Sequence, residues 1–286
     1  MKQFIILIFI IVLLSAAGIF FFLRDAESKR EKALLRNKEA ISATPLKDLI
    51  LTVTYDNNPY NPELETAWGF SCFIRGAEKN ILFDTGGNGT MLLENMNKLG
   101  ISPKEIELVV LSHIHGDHVG GLPALLEINP NITVYLPKSF PESLKDEVKN
   151  YGARVVEVKE SLRICRDVYS TGEFGSWIKE QSLIIHADRG LIIITGCAHP
   201  GIVETVRRSK NLVGDDVLFV MGGFHLGGKR KGAIKKIISQ FRELEVHSVG
   251  PCHCTGDTAR ELFEQEYKKS FFLVGVGRVI RGKELQ

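Results

Sequence analysis

A chain of 286 residues, 44% hydrophobic and 24% charged, has the composition of an ordinary globular protein and the length to bury a sizeable core without metal or disulfide support. Disordered, collagen-like and small disulfide-stapled chains are excluded: five Cys is an odd number, and Cys252 and Cys254 stand too close for an unstrained bridge. The 36 Lys and Arg against 34 Asp and Glu leave a formal charge of +2, far short of a nucleic-acid footprint, so no nucleic-acid partner is expected.

Residues 4–23 carry no charge. As a helix these twenty residues would extend about 30 Å, the thickness of a bilayer's hydrocarbon core, which predicts a single-pass transmembrane anchor over residues 1–23. A cleaved signal peptide is the alternative, because Lys2 precedes the apolar run and Ser15-Ala16-Ala17 resembles a small-residue cleavage site. The run continues through Ile19 to Leu23, longer than an ordinary signal core, and this favours the anchor. Arg24, Lys29, Arg30, Lys32, Arg36 and Lys38 follow the span, which by the positive-inside rule keeps the remainder cytoplasmic. Residues 24–45, charged and ending at Pro45, read as a stalk.

From residue 46 to 286 short β-branched runs alternate with amphipathic segments. Strands are predicted at 49–54, 81–83, 108–111, 132–136, 183–185, 191–195 and 217–221, several bounded by Gly, Pro or Asp. Helices are predicted at 91–99, 122–127, 141–151, 203–209, 231–243 and 258–267. No internal repeat and no Pro/Gly-rich linker divides the region, so one layered α/β domain is expected.

The chemistry concentrates in His113-Ile114-His115-Gly116-Asp117-His118, followed by Gly120-Gly121. Three of the eight His and one Asp fall within six positions, just after the strand at 108–111, at a strand-to-helix turn where side chains can converge. Imidazole nitrogens and a carboxylate oxygen are donors that Zn²⁺ accepts at about 2 Å. His113 and His115 point to one side of an extended segment and Asp117 and His118 lie beyond the Gly116 turn, an arrangement able to serve two metals.

This run resembles the signature of the metallo-β-lactamase-fold superfamily, and further matches extend along most of the chain from about residue 50. Phe83-Asp84-Thr85-Gly86 resembles the superfamily's first aspartate motif. The stretches beginning at Gly196-Cys197-Ala198-His199, Gly222-Gly223-Phe224-His225 and Cys252-His253-Cys254 are similar to a subgroup that includes archaeal dihydropterin-type synthases and uncharacterised hydrolase-like proteins. The resemblance implies a four-layer αββα sandwich with a metal site at one edge of its sheets.

Two metals need more donors than four residues provide. His199 and His253, each at a strand end flanked by Gly or Pro, supply them: His113, His115 and His199 would surround one ion, and Asp117, His118 and His253 the other. Asp84 is expected to hydrogen-bond an imidazole and fix its tautomer. Cys197 stands where most of the superfamily carry a metal-bridging aspartate; a thiolate ligand, a group supporting the ligands and a small buried residue all remain open for it. His225 is open between metal binding, donation to a substrate oxyanion and positioning of its loop. His186 and His247 fall outside the motifs, Cys72 and Cys165 read as core residues, and Cys252 with Cys254 makes only a weak zinc-knuckle signal.

The expected activity is metal-assisted hydrolysis of a small ester, lactone or phosphoester-type molecule by a metal-bound hydroxide, on two Zn²⁺ ions, with iron or manganese as other candidate metals. Asp117 would orient the nucleophile and His225 stabilise the oxyanion or leaving group. A dihydropterin-type condensation with loss of a phosphate-type group, a di-iron redox protein and a non-catalytic metal-binding module are the alternatives. The di-iron version of the fold places a carboxylate where His115 stands, which favours zinc.

Overall fold

The computed structural model describes residues 43–286. The expected anchor over 1–23 and all but the end of the stalk lie outside the described residues, among which no helix is long and apolar enough to cross a membrane. The last stalk residues are docked on the domain: the Thr44 N–H donates to the His186 carbonyl at 3.0 Å.

The first half of the domain contains β1 (Ile50–Asp56), β2 (Phe70–Arg75), β3 (Ile81–Phe83), α1 (Gly89–Lys98), β4 (Leu108–Val110), α2 (Gly116–Val119), α3 (Leu122–Ile128), β5 (Thr133–Pro137), α4 (Glu142–Asn150) and β6 (Arg154–Val158). The second contains β7 (Leu162–Cys165), β8 (Val168–Ser170), β9 (Leu183–Ala187), β10 (Gly190–Thr195), α5 (Ile202–Val213), β11 (Val217–Gly223), α6 (Lys231–Glu243), β12 (Ser248–Cys252) and α7 (Asp257–Tyr267). A last strand, β13 (Val279–Arg281), returns to pair with β1.

Two sheets result, ordered β13-β1-β2-β3-β4-β5-β6 and β12-β11-β10-β9-β8-β7. The first is antiparallel as far as β3 and parallel from there to β6. The second is parallel among β10, β11 and β12 and antiparallel beyond. The central strands are buried on both faces, which is why they read as continuous apolar runs rather than alternating ones. In β10, Ile192 and Ile194 enter the core between the sheets, while Leu191 and Ile193 face the opposite way. Leu92 and Met96 of α1, Leu122 and Leu125 of α3 and Val148 of α4 cover the outer face of the first sheet. Val206 of α5, Ile234 and Phe241 of α6 and Phe263 of α7 cover the second. The four layers are helices, sheet, sheet, helices.

The expected strands and helices all occur, with shifted ends. The strands at β2, β6, β7, β8 and β13 are additional, and β12 gives bounds to the strand end expected before His253.

Candidate metal centre

The two sheets present one common edge. Asn57 follows the carboxyl end of β1, Asp84 that of β3, His113 that of β4, His199 that of β10, His225 that of β11 and His253 that of β12. Strand ends in open α/β layers are where backbone direction changes and side chains are free to converge on a ligand. The change of direction here is sharp: Asp84, Ala198, His225 and His253 all hold positive φ, between 47° and 57°, a strained state for residues with a Cβ that concentrates at functional sites. The backbones also approach closely. A Cβ at Gly196 would collide with Ser112 Oγ and come within 3.0 Å of Asp84 Oδ2, so only glycine admits this crossing.

Short α2 folds Asp117 and His118 back beside His113 and His115. The Thr85 N–H and hydroxyl both donate to the His118 carbonyl, at 2.8 and 3.0 Å, which ties the aspartate-containing turn after β3 to the histidine run. The result brings the expected residues into two sets. Donor atoms of His113, His115 and His199 lie within 4.8 Å of one another, as do those of Asp117, His118 and His253. His113 Nε2 is 3.1 Å from His115 Nδ1, and His118 Nε2 is 3.2 Å from His253 Nε2. Asp117 Oδ2 lies 3.5 Å from the former of that second pair and 3.3 Å from the latter.

The outer nitrogens decide what those close approaches mean. Ser112 Oγ donates to Asp84 Oδ2 at 2.7 Å and so accepts from His113 Nδ1 at 2.9 Å. His118 Nδ1 donates to Asp84 Oδ2 at 2.7 Å, His199 Nδ1 to Glu180 Oε2 at 2.9 Å and His253 Nδ1 to Asn57 Oδ1 at 2.8 Å. With the proton on Nδ1, Nε2 of His113, His118 and His199 turns a lone pair inward, while His253, raised above the ordinary imidazole value by its Asp117 hydrogen bond in spite of burial, presents Nε2–H to that carboxylate. Where such a lone pair meets a second imidazole nitrogen at 3.1–3.2 Å, a shared proton or a shared cation stands between the two. Two ligands held about 2.1 Å from one tetrahedral ion are themselves about 3.4 Å apart, so the donor set fits metal ions in number, chemistry and spacing.

Charge agrees with this. Burial, with the neighbouring His118 next in effect, pushes His113 down to about 3; burial and His253 do the same to His118. Burial and His199 also lower His115, so these rings are neutral donors at neutral pH. Burial would raise Asp117, but the hydrogen bond from His253 and the nearness of His118 outweigh it and hold the carboxyl well below its ordinary range. Burial pushes Asp84 up to about 7 in spite of its hydrogen bonds from Ser112.

Glu180, between β8 and β9, went unmarked in the sequence and is the most heavily engaged carboxylate at the edge. Besides His199 Nδ1, it accepts the backbone N–H groups of Cys197, Ala198 and His199 at 2.8–2.9 Å and the Thr195 hydroxyl at 3.2 Å. Burial alone would raise it; the His199 hydrogen bond and the nearby His113 hold it well below the usual range. Its only sequence signal is a polar run, Glu180-Gln181-Ser182, set directly before an apolar strand. Asn57 and Ser112 had no signal beyond standing next to strand ends.

Of the residues left open, Cys197 is buried with its Sγ 3.3 Å from His118 Nε2, facing the centre. Its thiol hydrogen-bonds that of Cys254, and this contact raises Cys197 and lowers Cys254. Cys254, Cys197 and His225 form a further group with donor atoms within 4.8 Å. Cys252, by contrast, packs in the core between the sheets, so the pair flanking His253 divides its duties. His225 is exposed, and its hydrogen bond to Cys254 raises it above the ordinary imidazole range. Trp68, 60% exposed, lies over His253 with ring centroids 4.9 Å apart. From there a row of rings runs through His118, His113 and His199 to His225 at successive spacings of 4.2–4.9 Å. His186 pairs with Asp215 and His247 with Ser248, both away from the row.

A four-layer sandwich with such a donor cluster at its sheet edge defines a class of metal-dependent proteins. The chain belongs to the metallo-beta-lactamase superfamily, whose family model matches residues 69–223. It is 30% identical to the 7,8-dihydropterin-6-methyl-4-(beta-D-ribofuranosyl)-aminobenzene-5'-phosphate synthase of Methanocaldococcus jannaschii, over 81% of this chain and 96% of that one. The solved structure of Tm1679, a metal-dependent hydrolase of the same superfamily, superposes with a TM-score of 0.67 at 29% identity, covering 81% of this chain and 98% of that one. The fold alone is shared with YhfI of Bacillus subtilis, at a TM-score of 0.63 and 11% identity over 81% of this chain and 99% of that one.

Proposed function

We propose that this protein is a metal-dependent hydrolase of a small ester, lactone or phosphoester-type molecule. One observation carries the reading: imidazole nitrogens from both sheets converge at 3.1–3.2 Å beside an ionised carboxylate. His113, His115 and His199 would hold one ion, and Asp117, His118 and His253 the other. Bound there, divalent metal supplies a Lewis acid and a water of lowered pKa. The donors are imidazole and carboxylate with a thiol adjacent, a set suited to zinc, with iron and manganese as the alternatives that metal analysis separates.

The chain's own groups do the rest. Asp117 is half-buried and ionised, so it accepts a hydrogen bond from the attacking water and orients it. His225, at the exposed end of the ring row, is raised toward its protonated form and donates to the developing oxyanion or the leaving group. Asp84, Glu180, Asn57 and Ser112 hold the imidazoles in their tautomers. For residues 4–23 we retain a membrane anchor, on their length and lack of charge. Retention of the full chain in carbonate-washed membranes tests it, and release into the wash would refute it.

Similarity to the dihydropterin-type synthase favours a second reading, a condensation with loss of a phosphate-type group. The test is plasma mass spectrometry of the purified protein, followed by turnover of ester, lactone and phosphodiester substrates in ¹⁸O-water. About two metal ions per chain and ¹⁸O in the product support hydrolysis; turnover that requires an added nucleophilic acceptor, joins it to the substrate and leaves ¹⁸O out of the joined product supports condensation. A chain that takes up no metal after reconstitution overturns both.

A further inference from the structure

Beside the exposed end of the ring row lies a cavity of about 350 Å³, within the range of small-molecule sites. His199 and His225 line it. Val203 and Ile237, half-buried on α5 and α6, supply apolar wall. Arg207, Lys229 and Glu204 complete its rim. Arg207 meets Glu204 at 2.7 Å, but both are about half exposed, where an ion pair is weak and readily exchanged. Lys229 forms no ion pair among the described residues. These exposed side chains offer one uncompensated cation and a guanidinium that can turn to a stronger acceptor, in a cavity lined also by His199 and His225 of the histidine row.

We propose that this cavity is a specificity subsite for an anionic group, a phosphate or a carboxylate, carried on an apolar body, with Lys229 and Arg207 as its recognition residues. The proposal rests on the hydrolytic reading of the centre and narrows its substrate class. The apolar body lies along Val203 and Ile237, the charge reaches the rim, and the bond to be cleaved falls over the metal sets next to His199. Neutral esters and lactones lacking the charge fill the same walls without engaging the rim.

The test uses the full chain with its metal content measured in the same sample. Phenyl phosphate and phenylacetate are titrated calorimetrically, with benzyl alcohol as the neutral probe of similar body. Wild type should bind one of the two anions at least tenfold more tightly than benzyl alcohol, and the anion so bound identifies the group. Lys229→Ala with Arg207→Ala should weaken that anion at least tenfold, leaving benzyl alcohol and metal content unchanged. Both side chains are exposed, so folding is not at stake. Lys229→Glu should weaken it further. Equal anion affinity in wild type and double variant, lost only with a chelator, would place the anion on the ions and overturn the subsite while leaving the hydrolytic reading intact. A wild type that takes up no metal on reconstitution yet keeps the rim-dependent affinity would uphold the subsite and overturn the hydrolytic reading instead.

Discussion

At the scale of single residues, Glu180 has the clearest consequences. A buried carboxylate that accepts three backbone N–H groups, a hydroxyl and an imidazole positions the whole turn from Cys197 to His199. Glu180→Gln keeps the shape but loses the charge and one acceptor, and should cost about 2–4 kcal/mol in denaturant unfolding at pH 7. Because its folded pKa lies below its unfolded value of 4.5, its stabilisation is fully present above that value and disappears as pH falls. Chelator-treated wild type should therefore lose stability more steeply than chelator-treated Glu180→Gln between about pH 5 and 3, a difference read from denaturant midpoints. In metal-loaded protein the same substitution should weaken metal affinity about 10- to 100-fold through His199. Gly196→Ala should act on the opposite side: crowding Ser112 and Asp84 costs about 1–3 kcal/mol and disturbs the tautomers of His113 and His118. An unchanged melting temperature and metal content in that variant would contradict the close crossing.

At the scale of elements, the doubly buried strands explain which parts of the fold were legible in the sequence. Leu191–Ile194 and Val217–Met221 announce themselves because both faces need apolar side chains. Ile194→Ala should consequently cost about 3–4 kcal/mol with little change in the slope of the denaturant transition. β12 shows in the sequence only as a strand end before His253, because Gly250 and Pro251 break its pattern; its place at the sheet edge spares a ladder partner on one side and lets a proline in. β6, β7 and β13 are short edge or near-edge strands with exposed or half-buried positions, so their side chains carry no strong period. The site divides along the same line. His113 to His118 are close in sequence and were legible together. His199 and His253 came through their strand-end glycines and proline and the family likeness. Glu180, Asn57 and Trp68 reach the centre only through tertiary contacts, and no local pattern marks a residue that acts across a fold.

At the scale of the whole molecule, the two donor sets are composed alike. Each takes two members from the segment after β4, in the first half of the domain (His113 and His115 from the loop, Asp117 and His118 from α2), and one from the second sheet, His199 after β10 or His253 after β12. If ions fill both sets, chelation should lower the melting temperature, since a ligand at a hundred times its dissociation constant stabilises by about 2.7 kcal/mol and a shift of several degrees follows. Unchanged melting after complete metal removal would separate the donor sets from the stability of the domain.

The same composition gives the centre a mechanical meaning. An ion in either set would be a rivet through the seam between the two layers, fastening them at one rim beside the hydrogen bonds that already cross it there, His253 Nδ1 to Asn57 Oδ1 and the Gln181 N–H to the Ser112 carbonyl. Removing it frees that rim to breathe while the opposite rim stays closed. Amide exchange should then quicken together at residues 112–118 and 196–199, two segments far apart in the chain, and slow together when metal returns. The protein would carry in that one edge both its chemistry and its latch.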